Sequence, residues 1–521
     1  DRRRAGRHAR RHVLLLDHGS AGVSGAVTMA GPIDLATLDL DSFRGRRVAV
    51  LGLARSGVAL CRFLADRGAI VTAYDGRSTV ELTDQLAKLE ERPIRMLLGP
   101  DVDPHAALAD QDLVCTSPSI SSRYPTTEPR LRAALAELES EGRIPVVSEV
   151  DLFLRLCPAT TIGITGTKGK TTTSSLIAAV LAAGGDPVIL GGNIGIPLVE
   201  RLPELTPAHR VVLELSELQL PTISRGTDVA VYTHVTSDHI DRHGSLEAYR
   251  AVKRRLAELV RPDGFLIVNA EDPVSAEFAA ATTGTVISYQ RSEPTAGGVG
   301  VRDGWIVAAE VPQPGGGPAM TGPGGRVLPL IDITLPGAHN TSNVLAAVAV
   351  GLVFGIAPDA IRRAVMDFSG VEHRLEQVAS IDGVRFVNDS QGTQPDAVIA
   401  ALRSFDPPIV LICGGRSKDL DLRELADEVA LRTAAVVLIG ETAAEMERVF
   451  GAAGARQIVR ADDMEHAVQL ADAIAREGLD GSSVATVLLS PAAASFDMFV
   501  DYAARGEAFK DAVRGIAEAV R

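Results

Sequence analysis

The chain has 521 residues, 46% hydrophobic and 23% charged, with a net charge of −14 and a pI near 5.3. These values describe a globular chain with ample core, long enough for several domains of roughly 150 residues each, and they argue against a general nucleic-acid binder. The four cysteines, Cys61, Cys115, Cys157 and Cys413, lack Cys-x-x-Cys spacing, which fits a reducing compartment without zinc or disulfide framework, and no apolar run reaches the ~18 residues of a membrane span.

Residues 1–28 are arginine-rich, and their apolar stretch is only Val13 to Leu16, too short for the roughly 7–15 residues of a signal-peptide core. They are expected to be a disordered basic extension ahead of Met29; a nucleic-acid-binding arm is the rival reading. The segment "RRVAVLGLARSGVALCRFLADRGAIVTAYD" (46–75) predicts strand, glycine turn, helix and strand. Its Gly52-x-Ala54-x-x-Gly57 is a weakened G-x-G-x-x-G, and Asp75 closes the next strand, where a Rossmann fold carries its ribose-reading acid. NAD or any nucleotide diphosphate fits this pattern. Further strands are predicted at 113–117 and 144–148.

The second block opens with "TIGITGTKGKTTTSSLIAAVL" (161–181), an apolar strand, a glycine-rich turn and a helix. Gly166, Thr167, Lys168, Gly169, Lys170, Thr171 and Thr172 occupy the turn and the helix start. Amides there have no intrahelical acceptor and the helix dipole favours an anion, so a lysine and hydroxyls at this point predict a phosphate loop, with Thr171 placed to hold Mg²⁺. Strands follow at 210–215, 229–235 and 264–270. Glu214 ends the first of them, at the sheet edge where α/β proteins bind ligands, and is a second candidate for Mg²⁺. Asp238, His239, Asp241 and His243 cluster after the next strand as a candidate metal group. Lys253, on the following helix, reads as a surface lysine. The Gly/Pro-rich stretch 311–327 predicts an exposed loop or hairpin insertion. A third block has strands at 384–389, 408–415, 434–440 and 483–490 with helices between. The expected fold class is α/β with three domains: a Rossmann-like N-terminal domain (29–157), a central P-loop ATPase-like domain with a mainly parallel sheet (158–371) and a C-terminal Rossmann-like α/β domain (372–521).

The motifs "TGTKGKTTT", "GGNIG" (191–195), "ELSELQL", "VTSDHIDRH" with "YRAVK", "LPGAHNTSN" (335–343), "HRLE" (373–376) and "NDS" (388–390) stand in an order that resembles the Mur ligases, ATP-dependent amide-forming enzymes of peptidoglycan synthesis. The similarity runs from about residue 46 to the end. "LLSPAAASFDMFVDYAARGEAFK" (488–510) and the Rossmann-like first block point, within that family, to addition of D-glutamate to UDP-N-acetylmuramoyl-L-alanine. The resemblance implies ATP and two Mg²⁺ ions as cofactors. It implies that Lys170 binds the β- and γ-phosphates, that Thr171, Glu214 and His239 are metal ligands, and that Lys253 is a carbamylated lysine acting beside them. Asn340 and Asn343 match adenine contacts, and Arg374 and Asp389 match residues near the ribose and γ-phosphate. Ser56, Asp75, Arg77 and Ser117 match the uridine-diphosphate site, and Asn193 a residue near the muramoyl group. Thr393, Lys418, Ser495 and Tyr502 match positions around the incoming glutamate. A cytoplasmic monomer acting on small molecules, with neither nucleic acid nor membrane as partner, is expected.

This chain departs from the family pattern at Gln391, where a lysine is usual, at Glu217 (serine), Ser119 (glycine) and Ala493 (cysteine). Other readings are a sister ligase adding alanine, a diamino acid or a folate glutamate, a nucleotide-binding regulator, and a dehydrogenase using the first glycine turn. The third block lacks the D-N-P-R of the diamino-acid enzymes, and folate-type ligases lack the first block.

Overall fold

The computed structural model describes residues 32–236, 245–335, 337–417, 420–477 and 484–520. The extension 1–28, the cluster containing His239, and Lys418 therefore lie outside the described residues. By its contacts the chain forms two compact units, residues 1–117 with 129–146, and residues 118–128 with 147–521. Residues 147–157, expected to close the first domain, are grouped with the second unit.

The first unit is built on the parallel strands Ile94–Leu98, Ile70–Asp75, Arg47–Leu51 and Leu113–Thr116, hydrogen-bonded in that order. Arg47–Leu51 is apolar beyond its first residue and buried along that length, as a central parallel strand requires. The turn after it enters the helix Arg55–Asp66 so tightly that a Cβ on Gly57 would stand 1.7 Å from the Gly52 carbonyl oxygen. Gly52 itself has φ of 86°, a left-handed conformation that glycine adopts without a steric penalty.

The second unit holds two sheets. The larger has nine strands in the order Arg326–Pro329, Trp305–Ala308, Val299–Arg302, Thr285–Tyr289, Phe265–Asn269, Val229–Tyr232, Thr160–Thr165, Arg210–Glu214, Val188–Gly192. From Val188–Gly192 to Thr285–Tyr289 the strands are parallel; Val299–Arg302, Trp305–Ala308 and Arg326–Pro329 pair antiparallel. The glycine-rich stretch is the connection within that antiparallel edge. Trp305, the chain's single tryptophan, is half-buried there with the Arg326 guanidinium 4.9 Å from its ring centroid. The helices Lys170–Ala183 and Ala338–Val353 pack together, and a Cβ on Gly351 would meet Val180 Cγ1 at 2.7 Å. Their apolar faces join Ile162, Ile164, Val212 and Val231 of the sheet in one core. Each such side chain contributes about 1.5–3 kcal/mol over its exposed state.

The smaller sheet runs Glu376–Ile381, Val384–Asn388, Ala485–Leu489, Ile409–Gly414, Thr433–Ile439, Ile458–Arg460. Only the first pair is antiparallel. The parallel strands thus end at one edge, which places the loops beginning at Asp389, Gly415, Gly440 and Ser490 together.

Candidate active site

The glycine-rich turn lies between the strand Thr160–Thr165 and the helix Lys170–Ala183, as its sequence predicts. Gly166 has φ of 151°, and a Cβ there would strike Thr233 Oγ1 at 2.0 Å; Gly169 is the left-handed N-cap with φ of 86°. The amide of Thr167 donates to the His234 carbonyl (2.7 Å) and Thr233 Oγ1 donates to the Lys168 carbonyl (2.7 Å), so the loop is braced from the neighbouring strand end. The Lys170 ammonium curls over the loop and donates to the carbonyls of Gly166 (3.1 Å) and Thr167 (2.9 Å). Such a loop offers first-turn amides, a dipole and a cation to a phosphate chain.

Thr171 and Glu214 come together, although 43 residues apart: Thr171 Oγ1 donates to Glu214 Oε2 at 2.7 Å. The other carboxylate oxygen, Oε1, accepts from Asn193 Nδ2 at 2.8 Å. Asn193, matched above to a substrate contact, is thus also a brace for the acid. All three polar groups are oxygen-rich and beside the phosphate loop, a donor set suited to a hard cation.

Lys253 departs from the surface role that its helix position suggests. It is fully buried on the helix Leu246–Glu258, and its Nζ donates to Gly166 O (3.1 Å) and Thr165 Oγ1 (3.3 Å), 5.5 Å from the Tyr249 ring centroid. The Tyr249 hydroxyl in turn shares a 2.9 Å hydrogen bond with Thr167 Oγ1. Thr165 and Tyr249 escaped sequence reasoning as site residues. The available signal for Tyr249 was its place four residues before Lys253, on the same helix face.

A cleft of about 2190 Å³ runs from Lys168, Gly169 and Thr172 past Asn340 and Asn343 to Arg374 and Asp389. That exceeds the ~300–1,000 Å³ of an ordinary ligand pocket and leaves room for more than one substrate. Asn343 Oδ1 accepts from Thr173 Oγ1 (3.1 Å) and Nδ2 donates to Asn340 Oδ1 (2.9 Å), so Asn343 holds Asn340 in place. Arg374 Nη1 reaches Thr171 Oγ1 at 3.4 Å, bringing the smaller sheet's linker to the phosphate loop. Asp389 is buried, accepts from Ser490 Oγ (2.6 Å) and from the Leu375 amide (3.2 Å), and burial pushes its carboxyl up to about 6 despite these bonds and the Arg374 charge.

Among the residues matched to an incoming amino acid, Ser495 is buried, Thr393 half-buried and Tyr502 45% exposed. Sequence reasoning missed Arg505, fully buried beneath them. Its Nε donates to Ser390 Oγ (3.0 Å), Nη2 to Ser390 O (2.9 Å) and Nη1 to Ala493 O (3.2 Å), and burial lowers the guanidinium to about 10 although Asp497 opposes this. An arginine on an amphipathic helix gives no sign in sequence of being enclosed.

In the first unit Ser56, Asp75, Arg77 and Ser117 gather around the glycine turn. Asp75 Oδ2 accepts the Leu53 amide (2.7 Å), and the Arg77 guanidinium pairs with Asp75 through Nε (3.0 Å) and Nη2 (2.8 Å). Ser117 Oγ donates to the Gly52 carbonyl at 3.0 Å. Burial alone raises the Asp75 pKa, but Arg77 and the amides outweigh it and hold the carboxyl below its usual value. An acid so committed to arginine is a poor reader of a ribose diol, which weakens the NAD reading.

A glycine-rich loop with a carboxylate, a hydroxyl and an enclosed lysine beside it, next to a wide cleft, has the parts of an enzyme that transfers a phosphoryl group from a nucleoside triphosphate. The chain belongs to the Mur ligase family: residues 46–137 match the Mur ligase MurD-like N-terminal domain, 164–351 the Mur ligase middle domain and 373–493 the Mur ligase glutamate ligase domain. It is 38% identical to the UDP-N-acetylmuramoylalanine--D-glutamate ligase of Koribacter versatilis, over 91% of this chain and 98% of that protein. The enzyme of the same name from Acidobacterium capsulatum is 39% identical, over 90% and 96%. The solved structure of the UDP-N-acetylmuramate-alanine ligase MurC from Thermotoga maritima shares the fold, with a TM-score of 0.53 and 16% identity over 90% of this chain and all of that one. Among the described residues no helix is long and apolar enough to cross a membrane.

Proposed function

We propose that the chain joins D-glutamate to UDP-N-acetylmuramoyl-L-alanine in the cytoplasm, as a monomer, with release of ADP and phosphate. The observation that carries the reading is the convergence of Thr171, Glu214 and Lys253 around the loop bearing Lys170, in a chain whose relatives carry that activity in their names. The four free, buried cysteines fit a reducing compartment. The domain limits 29–157, 158–371 and 372–521 assign the UDP-substrate, ATP and amino acid in that order.

In the proposed reaction the alanyl carboxylate attacks the γ-phosphorus of ATP, giving an acyl phosphate and ADP. The neutral amine of D-glutamate then attacks the acyl carbon, and the tetrahedral intermediate expels phosphate as the amide forms. Lys170 and the loop amides hold the phosphates, Asn340 orients the base with Asn343 behind it, and Arg374 and Asp389 close the nucleotide side. Ser56, Asp75, Arg77 and Ser117 hold the UDP group, with Asp75 fixing the Arg77 guanidinium, and Thr393, Ser495 and Tyr502 receive the amino acid together with Lys418, the last on the resemblance. Thr171 and Glu214 fit Mg²⁺ by their oxygen donors, and His239 and Lys253 complete the two sites on the resemblance. Bound Mg²⁺ supplies positive charge that offsets the phosphoryl oxygens. Lys253 and Lys170 lean on the same Gly166 oxygen, each at 3.1 Å. Carbamylation of Lys253 would turn a repelling cation into an anion beside the first, which supports the modification.

The test is phosphate release with UDP-N-acetylmuramoyl-L-alanine and a panel of amino acids. D-glutamate is expected to exceed D-alanine by a factor on the order of 10²–10⁴, since a site built to pair a side-chain carboxylate rejects an analogue lacking it, and to exceed L-glutamate as well, whose inverted centre cannot place amine and both carboxylates at once. Release that favours another amino acid overturns the assignment.

A further inference from the structure

Glu214 is 2% exposed, at the carboxyl end of the strand Arg210–Glu214. That strand lies between Thr160–Thr165, where Ile164 is the partner of Glu214, and the edge strand Val188–Gly192, where Gly192 is. The edge strand presses close. Gly192 has φ of 96°, and a Cβ there would stand 2.4 Å from the Glu214 carbonyl oxygen. The next residue, Asn193, donates its amide to that same carbonyl at 2.8 Å. Asn193 therefore meets Glu214 twice, through its backbone and, at Oε1, through its carboxamide (2.8 Å).

The two carboxylate oxygens have partners on different elements. Oε2 accepts from Thr171 at the start of the helix behind the phosphate loop, and Oε1 from Asn193 beyond the edge strand. The last torsion of a glutamate is broad and roughly two-fold, so a single hydrogen bond leaves the carboxylate free to swing about its contact with Thr171. The second bond fixes its plane. Partners of this kind orient a metal-binding acid, and their loss typically costs about 10–100-fold in metal affinity or activity.

We propose that Asn193 is a positioning residue for Mg²⁺: it sets the Glu214 carboxylate beside Thr171 and so raises metal affinity before the UDP-substrate arrives. This rests on the reading that Thr171 and Glu214 hold Mg²⁺. It gives Asn193 a second task besides the muramoyl contact that the resemblance implies, and the two are separable because the first needs no UDP-substrate.

The experiment measures ADP binding to the full chain by calorimetry, without UDP-substrate, once with Mg²⁺ in excess over ADP and once with none. Asn193→Ala keeps the backbone bond to Glu214 and loses only the carboxamide of an exposed side chain. Its affinity for Mg-ADP is expected to fall about tenfold or more, while its affinity for metal-free ADP stays within about twofold of wild type and so verifies an intact phosphate loop. In phosphate-release assays the lost turnover is expected to return as Mg-ATP is raised at fixed UDP-substrate. An unchanged Mg-ADP affinity, or an equal loss with and without Mg²⁺, overturns the role. Turnover that returns with added UDP-substrate but not with Mg-ATP also overturns it, since that is the signature of muramoyl contact alone. Wild-type ADP binding that is indifferent to Mg²⁺ removes the parent reading, and the inference with it.

Discussion

Lys170→Ala removes the cation above the phosphate loop without touching the core. The expected outcome is a loss of roughly 10²–10⁴ in kcat, several kcal/mol of transition-state stabilisation, with an unchanged melting temperature, read by phosphate release and calorimetry. Lys253→Ala is expected to be inactive and to regain part of its activity with added formate or acetate, which can enter the vacated space as the missing anion. Full activity without additive would contradict a carbamylated role. Asp389 gives a pH prediction. Its folded pKa of about 6 lies above the ordinary value of 3.8, so folding favours the protonated form and this contribution fades as pH rises from about 4 through 6. The charged form costs on the order of 3 kcal/mol at neutral pH. Asp389→Asn should therefore melt higher than wild type at pH 8 and show little of that advantage below about pH 3.5, while losing turnover; an advantage of the same size at both values would refute the burial argument. Lys170, Thr171 and Glu214 were legible in the sequence because glycines, a lysine and a strand-end acid have few other reasons to stand in that order. The burial of Lys253 and Arg505 was not, because enclosure comes from residues far away in the chain.

At the level of elements, the apolar strands announced themselves as continuous runs, and the glycine turns announced the helices behind them. Short edge strands such as Ile94–Leu98 and Glu376–Ile381 did not: they are only half-buried, so their sequences mix charged and apolar residues. The first glycine turn shows how much one hydrogen atom decides. Gly57→Ala would place a methyl 1.7 Å from the Gly52 oxygen and push the helix Arg55–Asp66 off its strand. A destabilisation of about 2–4 kcal/mol is expected, the upper range for overpacking against backbone, with a larger loss of affinity for the UDP-substrate than for ATP. Denaturant titration and calorimetric binding of each nucleotide would measure the two; equal weakening of both would place the turn's effect elsewhere.

At the level of the molecule, the division into two compact units bears on how the chain unfolds. A ligand stabilises the unit it binds. UDP-N-acetylmuramoyl-L-alanine is expected to raise one calorimetric transition and Mg-ADP another; a single transition moved equally by both would show that the units melt as one. The lone tryptophan supplies an independent view of the same process. Trp305 sits on the antiparallel edge of the nine-stranded sheet, under the Arg326 guanidinium. Its fluorescence is therefore a local spectroscopic probe of the second unit and is blind to the first. An emission-monitored melt that lags or leads the far-ultraviolet dichroism would resolve the two units optically, without a label and without altering a single residue.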